Sequence, residues 1–263
     1  MKWIVSHTNR PSANLQLFCF AQAGGGASTF FPWGKAAPNW LQISAIQLPG
    51  HETRISESLS ADWRELVKSI SVAISKITKL PYAFFGHSMG ALLAYETARN
   101  MRSIGFYEPQ VLFLSGRNSP TVHPRWPPIS QLTNDCFLAE LSKRYAGIPD
   151  EILQNPEMME MYLPILRNDI RLVEDYRHAI SSPLNCPFFL YYGVSDTLVT
   201  LHKISGWRAL TNGPAYQREF PGGHLYHITH QSNLLTRLFE DLNNFKNIDV
   251  SRRNFIVQDD RMQ

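Results

Sequence analysis

Short apolar runs alternate with segments in which apolar residues recur every three or four positions along most of the chain. The apolar runs predict strands at 15–20, 41–48, 82–85, 111–115, 187–193 and 216–220. The helical spacing predicts helices at 59–80, 89–101, 201–210 and 230–245. Because strands that alternate with helices pair in parallel, the pattern predicts an α/β protein with a mostly parallel central sheet and helices on both faces.

The alternation stops between Ser119 and Ser182, where a proline-rich stretch leads into helical patterns with no strand between them. A segment of about sixty residues would form a thin core by itself, so we expect a helical insertion that caps the sheet rather than a second domain. The sequence therefore predicts one domain over 1–263 with an insertion at about 119–182. The polar tail after Asn247 is expected to fray.

Composition narrows the class of protein. The hydrophobic share of 44% and charged share of 18% are typical of a globular domain. The net charge is only +3, and basic residues are interspersed with acidic ones, which disfavours nucleic-acid binding. Three distant cysteines form neither a disulfide framework nor a metal-binding pattern, and Cys19 lies in an apolar run where burial is expected. No signal-peptide core or membrane-length apolar run is present, so a cytoplasmic location and no membrane association are expected.

A Gly-x-Ser-x-Gly segment at 86–90 lies between a predicted strand and a predicted helix. This context is typical of the nucleophile elbow of the α/β-hydrolase fold, in which the serine occupies a strained turn above the sheet. The flanking glycines allow a close backbone approach, and the helix amino end favours developing negative charge. We therefore predict that Ser88 is a nucleophile.

A serine hydroxyl needs a histidine base, and in this fold the order along the chain is Ser, acid, His. Six of the nine histidines are disfavoured because they precede Ser88, fall in the insertion or lie on a predicted helix: His7, His51, His87, His123, His178 and His202. His224 follows the last strand on a glycine-rich loop and is the predicted base. His227 and His230 enter the next helix, where packing or solvated roles are favoured over a metal site.

Asp196 is the predicted acid, since it follows the strand at 187–193 and could orient one ring nitrogen of His224. Its alternative role is to cap a turn through its side chain. Asp169, Glu174 and Asp175 lie on a helix of the insertion and are weaker candidates.

Acyl transfer also needs backbone N–H donors for the tetrahedral intermediate. Met89 follows the nucleophile, and the glycine-rich segment 21–26 follows the first predicted strand, so we predict the amides of Met89 and Ala23. The glycines of this segment lack both dinucleotide-binding and phosphate-loop spacing.

Several longer segments strengthen this interpretation: LFCFAQAGGGASTFFPW at 17–33, QLPGHETR at 47–54, FFGHSMGALLAYETA at 84–98, LFLSGRNSP at 112–120, LPILRNDIRLVEDYR at 163–177 and FPGGHLY at 220–226. With them the chain resembles type II thioesterases, the editing hydrolases of polyketide and nonribosomal peptide assembly lines. The resemblance implies an α/β-hydrolase fold with a helical lid over 119–182. It also implies the same site, with Ser88, Asp196 and His224 as the triad and the oxyanion amides on Ala23 and Met89.

The resemblance further implies hydrolysis of acyl groups from the phosphopantetheine arm of acyl or peptidyl carrier protein domains. No cofactor or metal is implied, and we expect a monomer. The chain departs from the family pattern at Ala21 and Gln22, where Pro and an aromatic residue or His are usual, and at His51, where Arg is usual. The first two changes border the oxyanion loop and could alter acyl preference.

Three alternatives stay open. The same triad would serve a carboxylesterase, a lipase or a medium-chain fatty-acyl thioesterase, and an internal nucleophile in place of water would give an acyltransferase or cyclase. A non-catalytic carrier-protein-binding protein is also conceivable, although such proteins usually lack a triad member. The apolar residues of the insertion could line an acyl chamber or pack on the sheet: Leu163, Ile165, Leu166 and Leu172.

Overall fold

The computed structural model describes residues 2–122, 126–145 and 155–246. A seven-stranded sheet runs through these residues in the order β1-β3-β2-β4-β5-β6-β7, in which β1 is antiparallel to β3 and all other neighbours are parallel. The strands are β1 (Ile4–Ser6), β2 (Leu15–Phe20), β3 (Leu41–Ile46), β4 (Tyr82–His87), β5 (Leu112–Ser115), β6 (Phe188–Gly193) and β7 (Ala215–Phe220). The predicted α/β class with a mostly parallel sheet is confirmed.

The helices, in chain order, are α1 (Phe31–Ala36), α2 (Trp63–Ile77), α3 (Met89–Ser103), α4 (Asn134–Tyr145), α5 (Pro156–Asp175), α6 (Leu201–Ser205), α7 (Tyr226–Thr229) and α8 (Gln231–Lys246). Short 3₁₀ helices occupy Ala27–Phe30, Glu52–Arg54 and Gly206–Leu210. The predicted helix at 59–80 is shorter than expected because Asp62 caps it, accepting hydrogen bonds from the backbone N–H groups of Arg64 and Glu65.

The central strands are buried on both faces, which explains their continuous apolar runs. Every residue of β2, β4 and β5 is buried. One face of the sheet packs on α2 and α3, with Phe84 and Leu92 in that core. The other face packs on α1 and α8, with Phe85 and Leu238 in that core. The sheet therefore lies between two helical layers.

Strand β1 and helix α1 were not predicted from the sequence. Strand β1 has three residues, of which only Ile4 is buried, so it carries no run or alternation long enough to recognise. Helix α1 contains Pro32 and Gly34, both unfavourable in a helix interior, although the proline is acceptable in the first turn.

Helices α4 and α5 lie between β5 and β6 in the chain, within the predicted insertion, and the described part of 119–182 contains no strand. We call these two the insertion helices. Their apolar residues form a third cluster with Phe137, Leu166 and Ile170, and Ala23 packs against it. Leu172 instead belongs to the core between the sheet and helices α2 and α3. Part of the predicted insertion and the tail after Asn247 lie outside the described residues.

None of the helices within the described ranges is long and apolar enough to cross a membrane.

Candidate active site

Ser88 lies at the junction of β4 and α3, where it is the N-cap residue of α3 with φ +56° and ψ −111°. Its N–H donates to the carbonyl of Ser115 at the end of β5, at 2.8 Å. A positive φ is uncommon for a residue with a Cβ, and such strain recurs at functional sites. The turn therefore has the geometry of a nucleophile elbow, with the hydroxyl above the carboxyl edge of the sheet.

The two glycines of the elbow are required by close backbone contacts. A Cβ on Gly86 would lie 2.1 Å from the carbonyl oxygen of Gly90, and a Cβ on Gly90 would lie 2.1 Å from the carbonyl oxygen of Phe20. The first turn of α3 thus packs directly on the end of β2. Because the segment 21–26 follows Phe20, this contact brings the predicted oxyanion loop next to Met89.

Asp196 lies in the loop after β6. One carboxylate oxygen, Oδ1, accepts a hydrogen bond from the N–H of Leu198 at 2.9 Å, so the alternative turn-capping role is present as well. The other oxygen, Oδ2, lies 2.8 Å from Nδ1 of His224. A Cβ on Gly193 would lie 2.5 Å from the carbonyl oxygen of Gly223, so the loops after β6 and β7 approach closely only because glycine ends β6.

His224 is brought between the other two predicted residues. Its Nε2 lies 3.0 Å from Oγ of Ser88, opposite the nitrogen that faces Asp196. All three residues are buried. Since an ionised Asp can only accept, the proton of the neutral ring lies on Nδ1, and Nε2 presents a lone pair to the Ser88 hydroxyl. Tyr145, at the end of α4, covers the ring edge-on at 5.5 Å between centroids.

Two further histidines lie beside the base. The ring of His87 stacks on the ring of His227 with centroids 3.7 Å apart, and lies 5.2 Å from the ring of His224. Burial lowers the pKa of His87 well below its usual value, and the neighbouring His227 and His224 lower it further. Burial and then His224 lower the pKa of His227 to about 3. Both rings are therefore neutral near pH 7 and place no second positive charge beside His224.

Each of these rings has a hydrogen-bond partner that anchors it. Nδ1 of His87 lies 2.8 Å from Oγ of Ser115, which is also hydrogen bonded to the hydroxyl of Tyr226. Nε2 of His227 donates to the side-chain oxygen of Gln22 at 3.0 Å. Gln22 is one of the departures from the family pattern, and it connects the oxyanion loop to the stacked rings.

The oxyanion loop is held on its other side by the segment that follows β3. The side-chain oxygen of Gln47 accepts from the N–H of Ala27 at 2.9 Å, and Glu52 accepts from the N–H of Ser28 at 3.2 Å. Gly24 has φ +72° and a close contact with Tyr162 on α5, so a side chain is excluded there by both conformation and space.

Asp169 contacts this loop, a position that the sequence pattern did not predict. It is 1% exposed, and its Oδ2 accepts from the N–H of Gly24 at 2.8 Å and lies 2.9 Å from Nε2 of His51. The sequence did contain one signal for its burial, because this carboxylate lies among the apolar residues of a helical pattern. The stacking of His87 on His227 was also missed, and His227 packs as expected but deeper than an ordinary helix-surface residue.

The described residues contain no group of three or more His, Cys, Asp or Glu arranged to hold a metal ion. The cysteines at 19, 136 and 186 are free, and Cys19 is fully buried as expected.

The α/β-hydrolase class is defined by a mostly parallel sheet and by the order of three residues along it. In this chain the serine lies on a strand-to-helix turn, the acid follows a later strand and the histidine follows the last strand. The thioesterase domain family matches residues 15–245, and the chain belongs to that family. It is accordingly a hydrolase that acts on thioesters.

Individual relatives agree with this assignment. The chain is 35% identical over 225 residues to the gramicidin S biosynthesis protein GrsT of Aneurinibacillus migulanus, a match that covers 86% of this chain and 88% of the relative. It is 30% identical over 222 residues to the human medium-chain S-acyl fatty acid synthase thioesterase, with 82% of each chain covered. The solved structure of the type II thioesterase BorB, from the borrelidin biosynthetic cluster, aligns with a TM-score of 0.83 at 31% identity, covering 92% of this chain and 98% of that one.

Proposed function

We propose that this protein is a type II thioesterase that removes acyl groups from the phosphopantetheine arm of carrier proteins through Ser88, His224 and Asp196. One observation carries the proposal. In a chain of the thioesterase family, a continuous series of hydrogen bonds joins Ser88 to His224 at 3.0 Å and His224 to Asp196 at 2.8 Å. Such a series lets a hydroxyl lose its proton as it attacks a carbonyl.

In the first half of the proposed reaction, Oγ of Ser88 attacks the thioester carbonyl carbon while Nε2 of His224 takes the hydroxyl proton. The carbonyl π electrons move to oxygen and give a tetrahedral oxyanion. The oxyanion collapses, the C–S bond breaks, and the thiolate of the arm leaves and takes the proton held by His224. Because a thiolate is a good leaving group, this step needs little acid assistance, and the product is an ester on Ser88.

In the second half, a water molecule attacks the ester carbonyl and gives a proton to Nε2 of His224. Collapse of the second tetrahedral intermediate breaks the C–O bond to Ser88, and the proton returns to Oγ. The carboxylic acid is released and the enzyme is restored. Asp196 keeps the proton on Nδ1 throughout and stabilises the imidazolium that forms twice in each cycle.

The proposed oxyanion donors are the backbone N–H groups of Ala23 and Met89. Met89 is the first residue of α3, whose amino end carries partial positive charge. The packing of Gly90 on the end of β2 supports a shared position for the two amides. Each such donor contributes about 10²–10³ in rate in serine hydrolases.

The proposed partners are acyl or peptidyl carrier domains, and the proposed role is editing of stalled or aberrant acyl chains. The relatives GrsT and BorB, named for biosynthesis of gramicidin S and borrelidin, support this role. The net charge of +3 is compatible with an acidic protein partner. We further propose a cytoplasmic monomer that needs no cofactor, in line with its free cysteines and with a mechanism that uses only side chains and water.

Carrier proteins loaded with several acyl groups, and analysed by intact mass before and after incubation, test the proposal. We expect loss of the acyl mass with the wild-type enzyme and retention with Ser88→Ala, and we expect Ser88→Ala to stay folded. A wild-type enzyme that leaves every acyl-carrier protein intact would contradict the proposed substrate.

A second candidate function is hydrolysis of medium-chain fatty-acyl thioesters, which the 30% identity to the human medium-chain thioesterase favours. The same panel distinguishes the two functions. Release confined to medium-length unbranched acyl chains would support the second candidate, whereas release of short and substituted acyl groups supports editing.

A further inference from the structure

A buried carboxylate on an insertion helix touches the loop that supplies a proposed oxyanion donor. Asp169 lies on α5, and its Oδ2 accepts a hydrogen bond from the N–H of Gly24 at 2.8 Å. Gly24 directly follows Ala23, whose N–H is the proposed donor. The N–H groups of Ala23 and Gly24 belong to adjacent peptide groups. A shift of Gly24 therefore also disturbs the peptide group whose N–H must point at the oxyanion.

Asp169 acts together with two neighbours on the same face of α5. Tyr162, Leu166 and Asp169 are separated by four and three positions, which places them on one side of a helix. A Cβ on Gly24 would lie 2.3 Å from the Tyr162 hydroxyl and 3.1 Å from a methyl carbon of Leu166. This face of α5 therefore packs on Gly24, and the hydrogen bond from Gly24 to Asp169 fixes the position of the helix relative to the loop.

A second residue completes the arrangement. Nδ1 of His51 lies 2.9 Å from the carbonyl oxygen of Pro49, and Nε2 lies 2.9 Å from Oδ2 of Asp169. A carbonyl and a carboxylate both only accept, so each ring nitrogen must carry a proton. His51 is therefore an imidazolium paired with a buried carboxylate, with exposed fractions of 3% and 1%. Burial lowers the pKa of His51, but Asp169, Pro49 and Glu52 together raise it above its usual value.

We propose that Asp169 is a positioning residue that fixes the conformation of the oxyanion loop through its hydrogen bond with Gly24. His51 holds the carboxylate in place and neutralises its charge. The oxyanion hole is therefore complete only when α5 packs on Gly24. This inference rests on the oxyanion role of Ala23 given in the proposed function.

The charges explain why both residues are needed. A lone carboxylate bonded to Gly24, the residue next to a proposed oxyanion donor, would oppose the negative charge of the tetrahedral intermediate. The imidazolium of His51 cancels that charge by donating to Oδ2, the same oxygen that accepts from the N–H of Gly24. The second oxygen, Oδ1, is buried and has no hydrogen-bond partner among the described residues, so the contact depends on Oδ2 alone.

The test uses the full chain and a small substrate, an acyl thioester of N-acetylcysteamine, so that it does not depend on carrier-protein recognition. We expect Asp169→Leu to lower kcat by about 10- to 100-fold with KM changed less than about threefold, a smaller loss than removal of an oxyanion donor. Affinity for a trifluoromethyl ketone, whose adduct with Ser88 places an oxyanion in the hole, should fall in parallel with kcat. Asp175→Leu, at an exposed position of α5, is the matched control and should leave kcat and KM unchanged.

Asp169→Leu leaves a buried imidazolium unpaired, so a second variant separates positioning from folding. The double variant His51→Leu with Asp169→Leu replaces the ion pair with apolar residues, which proteins often tolerate without loss of stability. We expect its thermal unfolding midpoint to return toward the wild-type value while kcat stays low. A folded double variant with wild-type kcat would overturn the proposal, as would ketone affinity that does not follow kcat. Failure of the wild-type enzyme on carrier proteins, with these results intact, would instead count against the proposed substrate.

Discussion

Replacement of Asp196 by Asn tests the orienting role of the acid at almost constant size. In the wild-type protein Oδ1 accepts from the N–H of Leu198 and Oδ2 accepts from Nδ1–H of His224. An Asn at this position keeps its oxygen toward the Leu198 N–H, because an amide NH₂ there would face another donor. The NH₂ group then points at Nδ1 of His224, which must offer a lone pair. The ring proton moves to Nε2, so the nitrogen 3.0 Å from Ser88 can no longer accept a proton.

The expected loss in kcat follows from this wrong tautomer. The corresponding change in a serine protease costs about 10⁴ in kcat, so we expect about 10³–10⁴ here, or about 4 to 5.5 kcal/mol of barrier. The turn through Leu198 is retained, and thermal unfolding should change little, whereas Asp196→Ala should also lose about 1 kcal/mol of stability. Steady-state hydrolysis of a small acyl thioester gives kcat. An Asp196→Asn enzyme within about tenfold of wild type would refute the tautomer argument.

Three further predictions address other parts of the site. Gly90→Ala should lose about 1–3 kcal/mol of stability and most of kcat, because its Cβ would lie 2.1 Å from a backbone carbonyl of β2. In the control Gly105→Ala the new Cβ would meet no atom within 4 Å, so this variant should keep kcat and lose stability only through its φ of +80°. A normal kcat for Gly90→Ala would contradict the argument. His51→Gln should lose more stability at about pH 6 than at about pH 9, as measured by urea unfolding. Burial lowers the pKa of His51, but Asp169 and its other partners raise it above 6.5. The stabilisation from the ion pair is therefore full below pH 6.5 and is lost as the pH rises through the folded-state pKa. An equal loss of stability at both pH values would refute the ion pair. Leu163→Trp should shift acyl-chain preference toward shorter chains if the insertion helices line the acyl chamber, and an unchanged preference would leave packing as the role of Leu163.

The sheet was predictable because its central strands are buried on both faces and appear as unbroken apolar runs, as in 15–20 and 111–115. Strand β1 was not predictable, since three residues with one buried side chain give no periodic signal. The glycines of the elbow marked a site of close backbone approach in the sequence, and the structure shows that approach at Gly86 and Gly90.

The proposed triad could be predicted because chain order and local context restrict each choice. The contact between Asp169 and His51 could not, because 118 positions separate the two residues and nothing in the segments 47–54 and 163–177 that contain them indicates that they meet. The family resemblance did mark His51 as a departure from the usual pattern. Only the packing of α5 on Gly24 shows what that departure contacts.

The most direct test of the proposed mechanism is rapid-quench mass spectrometry of the intact enzyme during turnover of an acyl thioester, followed by peptide mapping. We predict a transient mass increase equal to the acyl group, located on Ser88 in the wild-type enzyme and absent in His224→Ala. An acyl group attached to any other residue, or turnover with normal kcat in Ser88→Ala, would contradict the account.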